Sequence, residues 1–246
     1  MLRRNKVDYN IKPLVDGCES FGINLSDEQI EQFILYYENL IEKNKVMNLT
    51  AITEFQDVLV KHFLDSLSIV KVIDMGHIDK ILDLGTGAGF PGIPLKIVYP
   101  EIEFVLLDSL NKRIKFLQDI IDKCRFNKIT VVHGRAEELA KKKEYRENFD
   151  LCVSRAVANL SSLSEYCLPY VKCGGYFISY KSTNIDTELI DAKNAITILG
   201  GEIKDKICFS LPESNIERSL ILIEKKKATP AKYPRKAGLP SKEPLV

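Results

Sequence analysis

From Ile81 to Gly92 the chain reads Ile-Leu-Asp-Leu-Gly-Thr-Gly-Ala-Gly-Phe-Pro-Gly, and a helical pattern continues to Val98. An apolar run ends in an acid, and a glycine-spaced turn then leads into a helix. This pattern predicts a parallel strand feeding a helix through a turn whose bare backbone can lie against a nucleoside ligand. A GxG turn alone recurs in many α/β proteins. The dinucleotide fingerprint GxGxxG would need glycine at position 90, where Phe90 stands. Asp83, just ahead of the turn, would repel a pyrophosphate but suits a cation. S-adenosylmethionine carries both a sulfonium and an ammonium. The expectation is a site for that ligand around Gly85 and Gly87, weighed against a purely structural turn or a dinucleotide site.

Around this segment the rhythm of the chain changes once. Ile11, Leu14, Val15, Cys18 and Phe21 recur at helical spacing before Gly22. Ser26 followed by Gln29 is a capping-box pattern, opening a helix through Ile30, Phe33, Ile34, Tyr37, Leu40 and Ile41. Thr53 is placed to cap a third helical segment through Val58, His62 and Leu67. From residue 80, strand and helix patterns alternate, which argues for a parallel sheet with crossover helices. The expected strands are Lys80–Leu84, Glu103–Asp108, Ile129–His133, Phe149–Ser154 and Tyr176–Tyr180. Glu202–Leu211 and Arg218–Glu224 follow as a hairpin around Pro212-Glu213-Ser214-Asn215. The expected fold is α/β, Rossmann-like, of the class I S-adenosylmethionine-dependent methyltransferase kind. The predicted division is a helical N-terminal cap over 1–76 within the same compact unit, a core over 77–226, and a C-terminal tail over 227–246. From Lys225 the chain holds seven basic residues, one acid and four prolines. Proline at that density predicts an extended basic tail without a helix, solvated or laid on a partner, with the alternative that it packs back on the fold through Tyr233 and Leu239.

Composition narrows the classes. Of 246 residues, 45% are hydrophobic, enough for a substantial core, and no apolar run approaches the ~18 residues of a membrane span. Arg3, Arg4 and Lys6 are followed by polar residues, so no secretory signal is expected. The six cysteines form no CxxC pair, and most lie in apolar or strand-like surroundings, so they read as small buried hydrophobes in a reducing, cytoplasmic compartment. With three scattered histidines, no metal site is expected.

Candidate chemistry sits at the carboxyl ends of the strands. Asp108 would accept hydrogen bonds from a ribose diol, or Asp108 or Ser109 would simply cap the next helix. His133-Gly134-Arg135-Ala136-Glu137-Glu138 follows the third strand. Ala136 and Glu137 would flank an adenine, or the acids would only complement a helix dipole. Ser154-Arg155-Ala156-Val157 ends the fourth strand, where the transferred methyl faces the acceptor in this architecture. Arg155 is either a positioning group there or a surface arginine paired with a nearby acid. No Asp/Asn-Pro-Pro-Tyr motif is present to hold an exocyclic amine. Cys152 lacks the proline neighbour common beside a base-carbon nucleophile. Both absences favour an acceptor that already offers a lone pair, such as guanine N7. Lys181, after the fifth strand, would hold a phosphate, orient the acceptor base, or lie in solvent.

Taken together, these residues resemble the RsmG (GidB) family of bacterial rRNA methyltransferases along nearly the whole chain. The resemblance rests on Asn48-Leu49-Thr50-Ala51-Ile52, on His62 with Asp65-Ser66-Leu67, and on the Asp83–Pro94 turn. It continues through Leu107-Asp108-Ser109, Lys112-Arg113, Phe116-Leu117, Arg135-Ala136-Glu137 and Ser154-Arg155-Ala156-Val157. It ends with Thr229-Pro230-Ala231-Lys232-Tyr233-Pro234-Arg235-Lys236-Ala237-Gly238-Leu239-Pro240. The resemblance implies methylation of guanine N7 at one site of 16S rRNA near the decoding region, with S-adenosylmethionine consumed and S-adenosylhomocysteine released. It also implies cofactor contacts at Gly85, Phe90, Ala136, Glu137 and Arg155. Thr86, where serine is frequent, and Ser182, where glycine often follows the lysine, depart from the family pattern. The expected partner is the small ribosomal subunit, with the enzyme a monomer and no membrane involved. The rival expectations are a methyltransferase of proteins or small molecules, and a non-catalytic rRNA-binding assembly factor.

Overall fold

The computed structural model describes residues 9–155, 158–182 and 185–245. Arg3, Arg4, Lys6, Ala156 and Val157 lie outside the described residues. The chain forms a seven-stranded sheet in the order β3-β2-β1-β4-β5-β7-β6. The strands are β1 (Lys80–Leu84), β2 (Glu103–Asp108), β3 (Ile129–His133), β4 (Phe149–Ser154), β5 (Val171–Lys181), β6 (Gly201–Ser210) and β7 (Glu217–Lys225). The first five are parallel, and β7 inserts antiparallel between β5 and β6. Because β1 lies between β2 and β4, chain order reverses beside it. A crevice opens outside the carboxyl ends of the strands at such a reversal, and the Gly85–Gly92 turn emerges there.

Burial explains why these segments are strands. Phe104, Leu106, Leu151 and Val153 on one face, and Leu82, Val105, Cys152 and Phe177 on the other, are all shielded from solvent. Both faces must therefore be covered. One is covered by α5 (Gly92–Val98), α6 (Asn111–Cys124) and the N-terminal elements. The other is covered by α7 (Ala136–Leu139), α8 (Leu160–Cys167) and α9 (Asp186–Ile198). In α6, Phe116, Leu117, Ile120, Ile121 and Cys124 form the buried stripe that 3.6-residue periodicity requires.

The N-terminal elements are α1 (Lys12–Ser20) and α2 (Asp27–Met47), then α3 (Phe55–Val58), a π-helical turn (Leu59–Leu64) and α4 (Asp65–Leu67). The Ser26–Gln29 capping box forms, each partner meeting the other's backbone N–H. Thr53 does not cap the third segment: the helix starts one residue later, with Glu54 at the N-cap position and no side-chain cap bond, while the Thr53 carbonyl accepts from Tyr37 Oη. The cap shares one core with the sheet: Tyr36 Oη donates to Ala88 O at 2.6 Å and Gln29 Nε2 to Ile97 O at 2.9 Å.

Two expectations about the second half need correction. β5 begins at Val171, five residues before Tyr176, as Lys172 to Gly174 lie exposed at the start of the strand. The tail is neither free nor wholly extended. Tyr233 and Pro240 are buried, and Leu239–Lys242 forms a short helix, α10. Pro240 sits in its first turn, where a missing N–H costs nothing.

Candidate active site

A cleft of about 340 Å³ lies at the carboxyl ends of β1, β2 and β3. Its walls include Gly85, Asp108, Ala136 and Glu137, together with Tyr166 of α8 and Gly238 and Ser241 of the tail. Four of the predicted cofactor residues thus share one cavity. Gly87, Phe90, Arg155 and Lys181 are not on its lining.

The turn that borders it is shaped by backbone. Gly87 has φ +63°, and a Cβ there would meet only Gly85 O at 3.9 Å, so open space faces it. Gly89 is packed: a Cβ would stand 2.6 Å from Ile93 Cγ1 and 2.9 Å from Tyr36 Oη. One glycine leaves room for a ligand and the other lets the turn lie on the core.

Two carboxylates brace this turn from beneath. Asp83 is fully buried; its Oδ2 accepts from Thr86 Oγ1 at 2.6 Å and Gly92 N at 2.8 Å, while its Oδ1 has no partner. Burial pushes its pKa up to about 7, opposed by those two bonds and by the charge of Arg155. Asp108 accepts from Gly87 N and Leu110 N, each at 2.9 Å, and from Arg113 Nη1 at 3.1 Å. The helix after it begins at Asn111 with Leu110 as its N-cap residue, so Asp108 does not cap it. Three of the roughly four acceptor sites on an ionised carboxylate are filled, which leaves one on a residue that lines the cleft.

Glu137 and Ala136 have structural partners that sequence spacing does not reveal. Glu137 Oε1 accepts from Gly238 N at 2.7 Å, and Ala136 O accepts from Tyr170 Oη at 2.7 Å. The Phe90 ring is buried under the cap, stacked on His62 with centroids 4.3 Å apart. Lys181 is not available to a phosphate. Its ammonium donates to Ala158 O at 2.7 Å and pairs with Glu188 at 2.6 Å, since the strand end points it at α9.

Beneath the cap lies a polar cluster whose members were visible only as scattered letters. Arg155 donates to Lys61 O, Asp65 Oδ2 and His62 Nδ1, at 3.1, 3.0 and 2.9 Å, and its guanidinium lies 4.9 Å from the Phe90 ring centre. Arg218 Nε reaches the other Asp65 oxygen at 3.1 Å. A guanidinium can only donate, so His62 Nδ1 accepts and its proton sits on Nε2, which donates to Thr50 Oγ1 at 2.8 Å. Burial, then the adjacent Arg155 charge, lowers the His62 pKa to about 3, so the ring is neutral. The π-helical turn carries His62, and such turns recur where a side chain must be re-aimed. A signal existed: His62 and Asp65 interrupt an otherwise apolar stripe of Leu59, Val60, Phe63 and Leu64. A polar residue so placed requires a buried partner.

The comparisons with known proteins decide the family. The model of the family described as "GidB: rRNA small subunit methyltransferase G" matches residues 29–218. The chain belongs to this family. The ribosomal RNA small subunit methyltransferase G of Lachnoclostridium phytofermentans is 54% identical over 232 residues, covering 94% of this chain and 96% of the relative. That of Clostridium novyi is 47% identical over 245 residues and covers 100% of both. Among solved structures, the S-adenosylmethionine-dependent methyltransferase SibL in its apo form matches with TM-score 0.52 at 12% identity, over 67% of this chain and 55% of its own. TrmN from Thermus thermophilus matches with TM-score 0.50 at 14% identity, over 65% and 48%. At such identities the structural matches speak for the fold alone, a Rossmann-like methyltransferase sheet. Among the described residues, no helix is long and apolar enough to cross a membrane.

Proposed function

We propose that this member of the methyltransferase G family transfers a methyl group from S-adenosylmethionine to N7 of a guanine in 16S rRNA, acting as a cytoplasmic monomer on the small ribosomal subunit. The observation that carries the reading is the buried Asp83 carboxylate with one unpartnered oxygen, behind a glycine turn that leaves open space at Gly87. A buried acid with a spare acceptor oxygen behind the turn suits a cationic ligand.

The donor set fits the cofactor. Gly85, Ala136 and Glu137 would hold the adenosine, and Asp108 would accept from the ribose through its remaining site. Phe90 would offer its main chain, its ring being packed under the cap. When bound, S-adenosylmethionine supplies an electrophilic methyl on a sulfonium. Guanine N7 has a lone pair and no proton to lose, so the protein has to align the reactants rather than remove a proton. Arg155 lies off the cleft lining and is fixed on three sides, which favours orienting the acceptor end over the cofactor contact implied by resemblance. His62 is neutral with Nδ1 occupied by Arg155, so it holds the guanidinium and does not act as a base. Burial pushes the Cys152 thiol well up, which also favours direct transfer over a thiolate adduct.

Transfer of labelled methyl to isolated small subunits, followed by nucleoside analysis, tests this reading. Label in 7-methylguanosine is the expected outcome. Label in protein, or RNA binding without turnover, would replace the reading with one of the two rivals.

A further inference from the structure

The tail is pinned at two places by different residues. Its first part is held by Arg146, which donates to Thr229 O at 2.6 Å and Tyr233 O at 3.0 Å, and by Glu147, which accepts from Thr229 N at 2.7 Å. Its second part crosses α8 and reaches the cleft. On α8, Glu165, fully buried, accepts from Arg235 through backbone N at 2.7 Å, Nε at 3.0 Å and Nη2 at 2.7 Å. Ser162 Oγ donates to Pro240 O at 2.7 Å, and Gly238 N donates to Glu137 Oε1 at 2.7 Å. Gly238 and Ser241 then form part of the cleft wall.

We propose that residues 235–243 are a docked wall of the cofactor cleft, so that docking of this segment and occupancy of the cleft favour each other, with Glu165 and Arg235 as the positioning pair. The inference rests on the cofactor reading above. Its physical basis is shared structure. Glu137 lines the cleft and also receives Gly238 N, so releasing the tail removes two lining residues and frees a third. A buried carboxylate that loses its guanidinium is left uncompensated, which makes the docked state all-or-none rather than gradual. Linkage then requires that a ligand binding only the complete cleft also stabilises the docked tail, by the same factor.

The test compares the full chain with a chain ending after Pro234, which keeps the Arg146 and Glu147 anchors, and with Arg235→Ala and Arg235→Lys. Calorimetry with S-adenosylhomocysteine is expected to show at least a tenfold weaker affinity in the truncated chain and in Arg235→Ala, with partial recovery in Arg235→Lys. In the full chain, S-adenosylhomocysteine should slow tryptic cleavage at Lys236 at least fivefold, a readout that does not depend on the variants folding. Affinity within twofold of the full chain in a folded truncated protein, or cleavage unaffected by ligand, would overturn the proposal. A full chain that does not bind S-adenosylhomocysteine would instead overturn the cofactor reading on which it rests.

Discussion

The cleft and the polar cluster under the cap lie on different faces of one sheet and are built by opposite means. The cleft is walled by glycine backbone and by the carboxylates Glu137 and Asp108, the latter with three donors for roughly four sites, while Asp83 braces the turn from behind with Oδ1 unpartnered. Around Arg155 the charged groups satisfy one another, and residues from the cap, β4 and β7 converge on Asp65. Unfilled acceptors leave capacity for a ligand; a guanidinium held by three acceptors keeps one orientation. The first arrangement suits binding, and the second suits aiming.

Four variants sharpen that contrast. The largest effect is expected from Gly87→Val. The branched side chain enters the open space on the turn and abolishes cofactor binding by calorimetry, while the left-handed backbone adds a stability cost on the order of 1–2 kcal/mol. A folded variant with wild-type affinity would remove the ligand from this turn.

Asp108→Ala comes next and should lower both affinity and stability, the latter by roughly 3 kcal/mol, because the carboxylate holds Gly87 N, Leu110 N and Arg113 at once. Differential scanning calorimetry beside ligand titration separates the two losses. A loss of affinity without a loss of stability would make Asp108 a ligand contact only.

Asp83→Asn should move affinity and stability in opposite directions. Its pKa in the fold, about 7, is raised above the ordinary 3.8. Its contribution to stability is therefore full below the ordinary value and is lost as pH rises through 7, so ionised Asp83 opposes folding at pH 8. The variant's melting temperature at pH 8 should equal or exceed that of the wild type. Its cofactor affinity should fall about tenfold, roughly 1.4 kcal/mol. Wild-type affinity should weaken between pH 8 and pH 6 as Asp83 protonates. An affinity independent of pH over that interval would contradict the role given to its charge.

Cys152→Ser should change least, keeping transfer within a few-fold at about 1 kcal/mol of stability. Complete loss of turnover in a folded variant that still binds cofactor would require a covalent mechanism.

What the sequence disclosed follows from range. The first four strands were read to the residue, because each is an apolar run flanked by charge or glycine, and the capping box at Ser26 is a local pattern. The Asp83–Gly92 turn was legible for the same reason. The tail's docking partners, Glu165, Arg146 and Glu137, are not legible because they lie 70 residues or more upstream, and proline content says nothing about them. The cluster at Arg155 stayed hidden because His62 is 93 residues away. The extra residue in the π-helical turn that carries His62 also leaves no mark on an apolar pattern. Lys181 is legible at its strand end, but its partner among phosphate, acceptor base and solvent stays open in sequence, since Glu188 reads there as one more acid on a helix.

The division between binding and aiming is tested most directly in Asp65→Asn, which keeps the shape of the residue shared by Arg155 and Arg218 but removes its charge. S-adenosylhomocysteine affinity and the single-turnover rate of methyl transfer to small subunits are measured on the same preparation. The account predicts affinity within threefold of wild type and a transfer rate at least tenfold lower. A fall in affinity as large as the fall in rate would contradict it, placing the Arg155 cluster on the cofactor rather than on the acceptor.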